Sequence, residues 1–357
     1  MGAGAVVKLH ERVPLGGGMA ASLLWAQEEQ EEAGEELARW ADAWQRQATE
    51  EAASTASALA DRLVGRWTGD LALVAPDQAA ARALAADDAI AGVAFTGSVG
   101  GGRAIAEAAG AKPAVLELGG KDALIVCPLG SPPPPGRLDA IAAHLVDACL
   151  TDGGQVCTSA ERVIVAAEDY EAIVGATRRA IAARPPGFPL TSAEGAARVD
   201  RQVDEAIAGG AVLEYVEERP IAGGVYVSPT RMLGRVPRRS ALWVDETFGP
   251  IIALSTYDSL DDAVAQADDS NGYALGATVL SGARGRAEAV EVARRLTAAS
   301  MVGVDVDCAP DPVAAPFFGA GRSGVGAHSG PSGLFYFARR RVITVADDEA
   351  EHGDIAR

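Results

Sequence analysis

Basic charge is scarce in this sequence. Acidic residues outnumber Lys and Arg by 49 to 31 over 357 residues, a formal net charge of −18. Such a chain repels phosphate backbones and anionic membrane surfaces, so neither nucleic acid nor a membrane is an expected partner. Lysine is scarcer still: Lys8, Lys112 and Lys121 are the whole supply, and no basic run stands out. Cysteine is limited to Cys127, Cys149, Cys157 and Cys308, widely spaced, with no CxxC pair and only His144 near any of them. Neither a zinc site nor a disulfide framework is suggested, and a reducing, cytoplasmic setting is expected. No apolar run approaches the roughly 20 residues that span a bilayer. The first residues lack a basic segment followed by an apolar stretch of signal-peptide length. A soluble protein is expected.

What is present is apolar patterning. Hydrophobic residues make up 48% of the chain, enough for a sizeable core and for more than one if the chain divides. Met19 to Leu63, rich in Ala, Glu and Gln, predicts one or two helices. Beyond it strand and helix patterns alternate. Strands are predicted at Leu71–Val74, Ile90–Phe95, Ala114–Leu118, Ala123–Cys127, Arg162–Ala166, Ile251–Ser255 and Ala277–Leu280. Helices are predicted at Gln78–Leu84, Arg103–Ala109, Leu138–Leu150, Tyr170–Ala183, Ser192–Ala208, Leu260–Ala267 and Arg286–Thr297. This alternation predicts a parallel α/β architecture. The four prolines of GSPPPPGR predict an extended surface insertion, and Val342–Val345 is a lone β-prone segment.

Five segments carry chemistry: FTGSVGGGR (Phe95 to Arg103), LELGGK (Leu116 to Lys121), GGQVCTSAERV (Gly153 to Val163), WVDETFGPI (Trp243 to Ile251) and PFFGAGRSGVG (Pro316 to Gly326). A cysteine among glycines and small polar residues, such as Cys157, can sit at a strand-to-helix turn. There backbone N–H groups and the helix dipole lower the thiol pKa. The ordinary alternative is a small buried hydrophobe. Glu117, between two leucines, is expected to be desolvated, with a pKa raised toward that of a general base; the alternative is an exposed acid on an edge strand. Gly97 and Ser98 stand where a strand ends and a helix begins, a place where backbone amides can hold a pyrophosphate. The glycines that follow predict a soft helix start. Glu246, in a turn before FGP, is either a ligand contact or a solvated acid. Gly319, Gly321 and Gly324 fit GxGxxG, but no strand–helix unit surrounds them, so a dinucleotide fingerprint is not assigned.

In this order the five segments resemble the aldehyde dehydrogenase superfamily, over most of Leu71 to Val345. The resemblance implies an α/β fold with a Rossmann-type cofactor domain, a parallel α/β catalytic domain and a C-terminal oligomerisation strand. Mapped onto this chain, these are an incomplete dinucleotide-binding domain (1–118), a thiol domain (119–325) and a tail (326–357). It also implies NAD(P)-dependent oxidation of an aldehyde, with Cys157 as nucleophile and Glu117 activating the hydrolytic water. Gly97, Ser98, Glu246 and Phe248 would contact NAD or NADP, and Gly319 to Gly324 would form a substrate-side loop. The partners implied are a small-molecule aldehyde and further subunits, either copies of this chain or related ones.

The pattern departs from the family at the cofactor end. HERVPLGGG (His10 to Gly18) leads into SLLWA (Ser22 to Ala26) where the family has PWNFP, whose asparagine helps stabilise the oxyanion. Asn271, in SNGYALGA, is the only asparagine and resembles a different family segment. The family's adenosine-ribose lysine has no counterpart between Lys8 and Lys112, where Arg46 is one substitute. A degenerate subunit kept for assembly, or cofactor-free ester hydrolysis through Cys157, are therefore the alternatives to a dehydrogenase.

Overall fold

Runs such as DALIV and RVIVA are apolar on both faces and can be buried only inside a parallel sheet covered by helices. The computed structural model describes residues 5–8, 71–74, 77–134, 136–184, 189–218, 226, 228–309, 315–330, 333, 336, 337 and 341–344. Along the chain, β1 (Ala5–Lys8) and β2 (Leu71–Val74) precede α1 (Gln78–Ala86), β3 (Val93–Thr96), α2 (Val99–Ala109) and β4 (Ala114–Glu117). Next come β5 (Asp122–Val126), α3 (Arg137–Leu150), β6 (Ala160–Ala166), α4 (Tyr170–Ala182), α5 (Ala193–Ala208), β7 (Val212–Val216) and β8 (Arg231–Gly234). The remainder is α6 (Ala241–Val244), β9 (Ile251–Tyr257), α7 (Leu260–Asp268), β10 (Tyr273–Ala274), β11 (Gly276–Leu280), α8 (Arg286–Arg295), β12 (Met301–Val304), β13 (Ala320–Gly321) and β14 (Gly324–Val325).

The larger sheet has the order β12–β11–β5–β6–β9–β8–β7, parallel except for β7 at its edge. Side chains of a strand alternate between faces, and β5 feeds two cores accordingly. Leu124 and Val126 pack with Ile141 and Leu145 of α3 and Ile173 of α4. Ala123 and Ile125 pack with Val199 and Val203 of α5, Ala263 of α7 and Val292 of α8. Each fully buried aliphatic side chain contributes about 1.5–3 kcal/mol, so this three-layer unit holds most of the stability of the described residues.

A second sheet, β3–β4–β14, is smaller. β3 and β4 are parallel, and β14 pairs antiparallel with β4, setting Gly324 opposite Glu117. Its buried core is Ala85, Ile105, Leu116 and Leu118. Only Leu118 to Lys121 separate β4 from β5, so the chain passes directly from the end of one sheet to the start of the other.

The alternation expected from the sequence is present, with corrections. Helix α2 starts at Val99, not after the glycines. Ser98 caps it by accepting the Gly101 N–H at 3.1 Å, and Gly102 is needed because a Cβ there would run into the Leu118 side chain. The glycines therefore serve packing, and the start is not soft. Strands β7, β8 and β12 were not legible; β7 is exposed at Val212 and Leu213, which removes the apolar signal of a buried strand. Pro132 and Pro134 are exposed between β5 and α3, as a surface insertion requires. Val342 and Ile343 are exposed and lie outside the strands of the single chain. The helices expected within Met19–Leu63, the segments His10–Gly18 and Ser22–Ala26, and Arg46 lie outside the described residues. Among the described residues no helix is long and apolar enough to cross a membrane.

Candidate active site

The junction between the sheets is built from backbone contacts that only glycine allows. A Cβ on Gly120 would overlap the Cys157 carbonyl, and one on Gly119 would strike the Glu246 carboxylate. Gly154, with φ +72°, lies against the Gly249 carbonyl. GGQVC is therefore pressed main chain to main chain against both LELGGK and ETFGP, and the Glu246 side chain against Gly119. The fifth segment joins them from the other side: Leu118 N–H donates to Ser323 O at 2.9 Å, and Ala274 N–H to Ser323 Oγ at 3.0 Å.

Buried charge fixes the same junction. Lys121 is wholly buried and donates to Glu161 Oε2 at 2.6 Å and to Thr247 Oγ1 at 3.2 Å. Glu161 in turn accepts the N–H groups of Thr247 at 2.7 Å and Phe248 at 2.6 Å. One carboxylate thereby holds the turn that carries Glu246 and Phe248, the latter in the left-handed region at φ 49°. Arg162, 1% exposed, donates to the carbonyls of Lys121, Gln266, Ala267 and Asp269 at 2.8–2.9 Å. It satisfies the otherwise orphaned carbonyls at the end of α7 and ties them to the junction.

Cys157 lies in the turn between a 3-10 helix (Thr151–Gly154) and strand β6. This corrects the expected strand-to-helix turn. No helix N-terminus follows the thiol, so no dipole lowers its pKa. Burial pushes the Cys157 thiol up to about 11, and the carboxylates of Asp122, Glu117 and Glu246 add to the rise. It is nevertheless half-buried, whereas Cys127, Cys149 and Cys308 are buried. Those three thiols are also pushed up by burial, first among several causes.

Glu117 is 6% exposed and lies on β4, between β3 and β14, not on an edge strand. Burial raises its pKa to about 7, and neither carboxylate oxygen has a hydrogen-bond partner among the described residues. His328 Nε2 lies 3.6 Å from its Oε1. Burial, with Glu161 adding to it, raises Glu246 to about 7 even though Gly120 N–H donates to it at 3.0 Å. Glu246 is thus a bonded, half-buried acid and not a solvated one. Asp122, also raised to about 7 by burial, lies 3.7 Å from Cys308 Sγ.

At the cofactor end, Gly97 N–H is already donated to Glu117 O at 3.0 Å, and Ser98 Oγ is engaged with Gly101. A Cβ on Gly100 would meet nothing within 4 Å, so the first turn of α2 is open on that side. Lys112 and Lys121 are both engaged elsewhere. Lys112 donates to Ala85 O and Asp87 O at 2.8 and 2.7 Å, and Lys121 is committed to Glu161. Asn271 donates to Val244 O and Asp245 Oδ1, both at 3.2 Å.

The structure therefore places Cys157 within electrostatic reach of Asp122, Glu117 and Glu246, and holds Phe248 by the turn that carries Glu246. Gly97 and Ser98 stand at the end of β3, the strand beside Glu117. Sequence reasoning missed Lys121, Asp122, Glu161, Arg162 and His328. A lysine and a glutamate adjoining strands apolar on both faces were the available signal, because buried charges must be paired. His328 carried no local signal. Among the described residues no group of three or more His, Cys, Asp or Glu is placed to hold a metal ion.

Comparison with known proteins converges on one family. The sequence profile of the aldehyde dehydrogenase family matches residues 34–343. The chain is 34% identical over 266 residues to geranial dehydrogenase of Castellaniella defragrans, covering 70% of this chain and 52% of that protein. It is 31% identical over 283 residues to a succinate-semialdehyde dehydrogenase [NADP(+)] of Deinococcus radiodurans, covering 76% and 57%. The chain thus spans little more than half the length of these relatives. Its fold matches a Mycobacterium tuberculosis aldehyde dehydrogenase complexed with NAD+ at a TM-score of 0.68 and 28% identity, over 80% of this chain and 59% of that one. With the motifs, the α/β architecture and the profile in agreement, the chain belongs to the aldehyde dehydrogenase family.

Proposed function

We propose that the chain oxidises an aldehyde to a carboxylic acid with NAD or NADP, through a covalent intermediate on Cys157. The observation that carries this reading is a half-buried thiol within electrostatic reach of a buried carboxylate raised to about 7. A thiol at about 11 attacks only as its thiolate, so a base must first take its proton, and Glu117 and Glu246 are on hand for that. The sulfur then bonds to the aldehyde carbon to give a thiohemiacetal. Bound oxidised nicotinamide would supply the hydride acceptor and a positive charge. Glu117, as carboxylate, takes a proton from water as that water attacks the resulting thioester. Gly97, Ser98, Glu246 and Phe248 are the proposed cofactor contacts, with Glu161 holding the turn that presents the last two. On this reading residues 1–118 and 119–325 are the cofactor and thiol domains.

The test is reduction of NAD or NADP by purified chain with a panel of aldehydes, beside a fluorescence titration of both cofactors. If neither cofactor binds at millimolar concentration, the dehydrogenase reading is wrong. A second reading, a subunit kept for assembly, draws on the commitment of Lys112 and Lys121 to internal partners and on the exposed Val342 and Ile343. A partner strand, from a copy of this chain or a related subunit, would cover that segment. Mass measurement giving a stable monomer argues against it.

A further inference from the structure

A carboxyl that takes a proton from water on every turnover must also lose it, and Glu117 is poorly placed to do so alone. It is 6% exposed, and among the described residues both its oxygens lack hydrogen-bond partners. One titratable ring links it to the outside. His328 Nε2 is 3.6 Å from Glu117 Oε1, and the imidazole is 48% exposed while the carboxylate is 7%. The ring's orientation is set from two sides. It stacks on Phe317 with centroids 5.0 Å apart and 24° between planes, and its Nδ1 is 2.8 Å from Ser329 Oγ. Main-chain bonds in both directions between Phe317 and His328, at 2.8 and 3.0 Å, anchor the segment. The preceding strand β14 is itself paired with β4 opposite Glu117.

We propose that His328 carries the proton from Glu117 to solvent during thioester hydrolysis, an inference that rests on the Cys157–Glu117 reading above. In the tautomer that donates Nδ1–H to Ser329 Oγ, Nε2 is the acceptor. A small side-chain rotation closes the 3.6 Å separation. In the step itself, the oxygen of water bonds to the thioester carbon while one of its protons passes to Glu117. The carbon–sulfur bond then breaks, and its electron pair stays on Cys157 as thiolate. Glu117 passes its proton to Nε2, the imidazolium releases it to bulk water, and the carboxylate is restored. The other titratable groups facing the thiol, Asp122 and Glu246, are acids raised to about 7 themselves. Histidine is the side chain suited to accept and release protons at neutral pH.

The test needs no cofactor. With p-nitrophenyl acetate and the full chain, acylation of Cys157 gives a burst of nitrophenol, and deacylation sets the steady rate. His328→Ala and His328→Gln should keep the burst and slow the steady rate by at least about tenfold, less than the ~100-fold expected for loss of the group that takes the first proton. Added imidazole should restore His328→Ala but not Glu117→Gln. Full turnover in His328→Gln, or a slow His328→Ala that imidazole leaves unchanged, overturns the inference. A normal burst, slow Glu117→Gln and unchanged His328→Ala overturns this inference alone. No burst from the unaltered chain overturns the Cys157 reading and this inference with it.

Discussion

The two sheets that meet at Gly119 and Gly120 differ in how their strands are buried. In the larger one β5 is buried at every position from Asp122 to Val126; in the smaller one β4 is buried from Val115 to Glu117, but β3 beside it alternates half-buried and exposed residues. The larger sheet is covered on both faces and holds Lys121 and Glu161 as a buried ion pair, with Arg162 donating to buried carbonyls beside them. Among the described residues, the smaller one has a much smaller buried core and leaves Glu117 without a hydrogen-bond partner. The difference teaches where rigidity and chemistry are divided. The thick unit fixes the backbone around Cys157 and the turn of Glu246, while the thin unit brings up a carboxylate that must gain and lose a proton.

The largest expected effect isolates the thiol. Cys157→Ala should lower aldehyde oxidation by roughly 10⁴-fold or more, as removal of a covalent nucleophile does, with a urea midpoint near that of the unaltered chain. An equal loss of folding would mean that the residue is core and not reagent.

Next in size is a paired comparison of lysines. Lys121→Met leaves Glu161 charged and buried and should cost about 3–5 kcal/mol in urea unfolding. Lys112→Met, in the thin unit, removes bonds to two carbonyls from a half-buried side chain and should cost about 1 kcal/mol for each. Equal losses would break the contrast between the two units.

pH sharpens it further. Glu117 holds its proton up to about 7 in the fold, against 4.5 ordinarily. Protonation therefore favours folding: the contribution is complete below about 4.5 and is lost as pH rises to about 7. Relative to the unaltered chain, Glu117→Gln should gain up to about 3 kcal/mol across that window, measured by urea unfolding at a series of pH values. A difference that stays constant with pH would show the carboxyl to be solvated.

The smallest effects concern the glycines of α2. Gly102→Ala meets the Leu118 side chain and should cost about 1–3 kcal/mol. Gly100→Ala meets nothing and should stabilise by up to about 1 kcal/mol through helix propensity. Thermal unfolding of both separates packing from softness; equal signs would undo that distinction.

Much of this was legible in the residues. Strand–helix alternation from Leu71 onward could be read because apolar periodicity is local, and the glycines of LELGGK and GGQVC marked close approach. Cys157 and Glu117 stood out by their neighbours. Strands β7 and β8 did not, because an exposed edge strand and a four-residue segment carry little periodic signal. Helix α2 was started too late, because Gly102 reads as a breaker until Leu118 is known to fill the space of its side chain.

By itself the sequence determined the strand–helix alternation from Leu71 onward, apart from β7, β8 and β12, and which thiol has small polar neighbours, since these follow from nearest residues. Tertiary structure alone decided that Lys121, Glu161 and Thr247 meet, that burial and three carboxylates raise the thiol where a helix dipole was expected to lower it, and that His328 faces Glu117. The physical reason is that desolvation and Coulomb interactions depend on distance in space, and groups far apart along the chain reveal that distance only after folding.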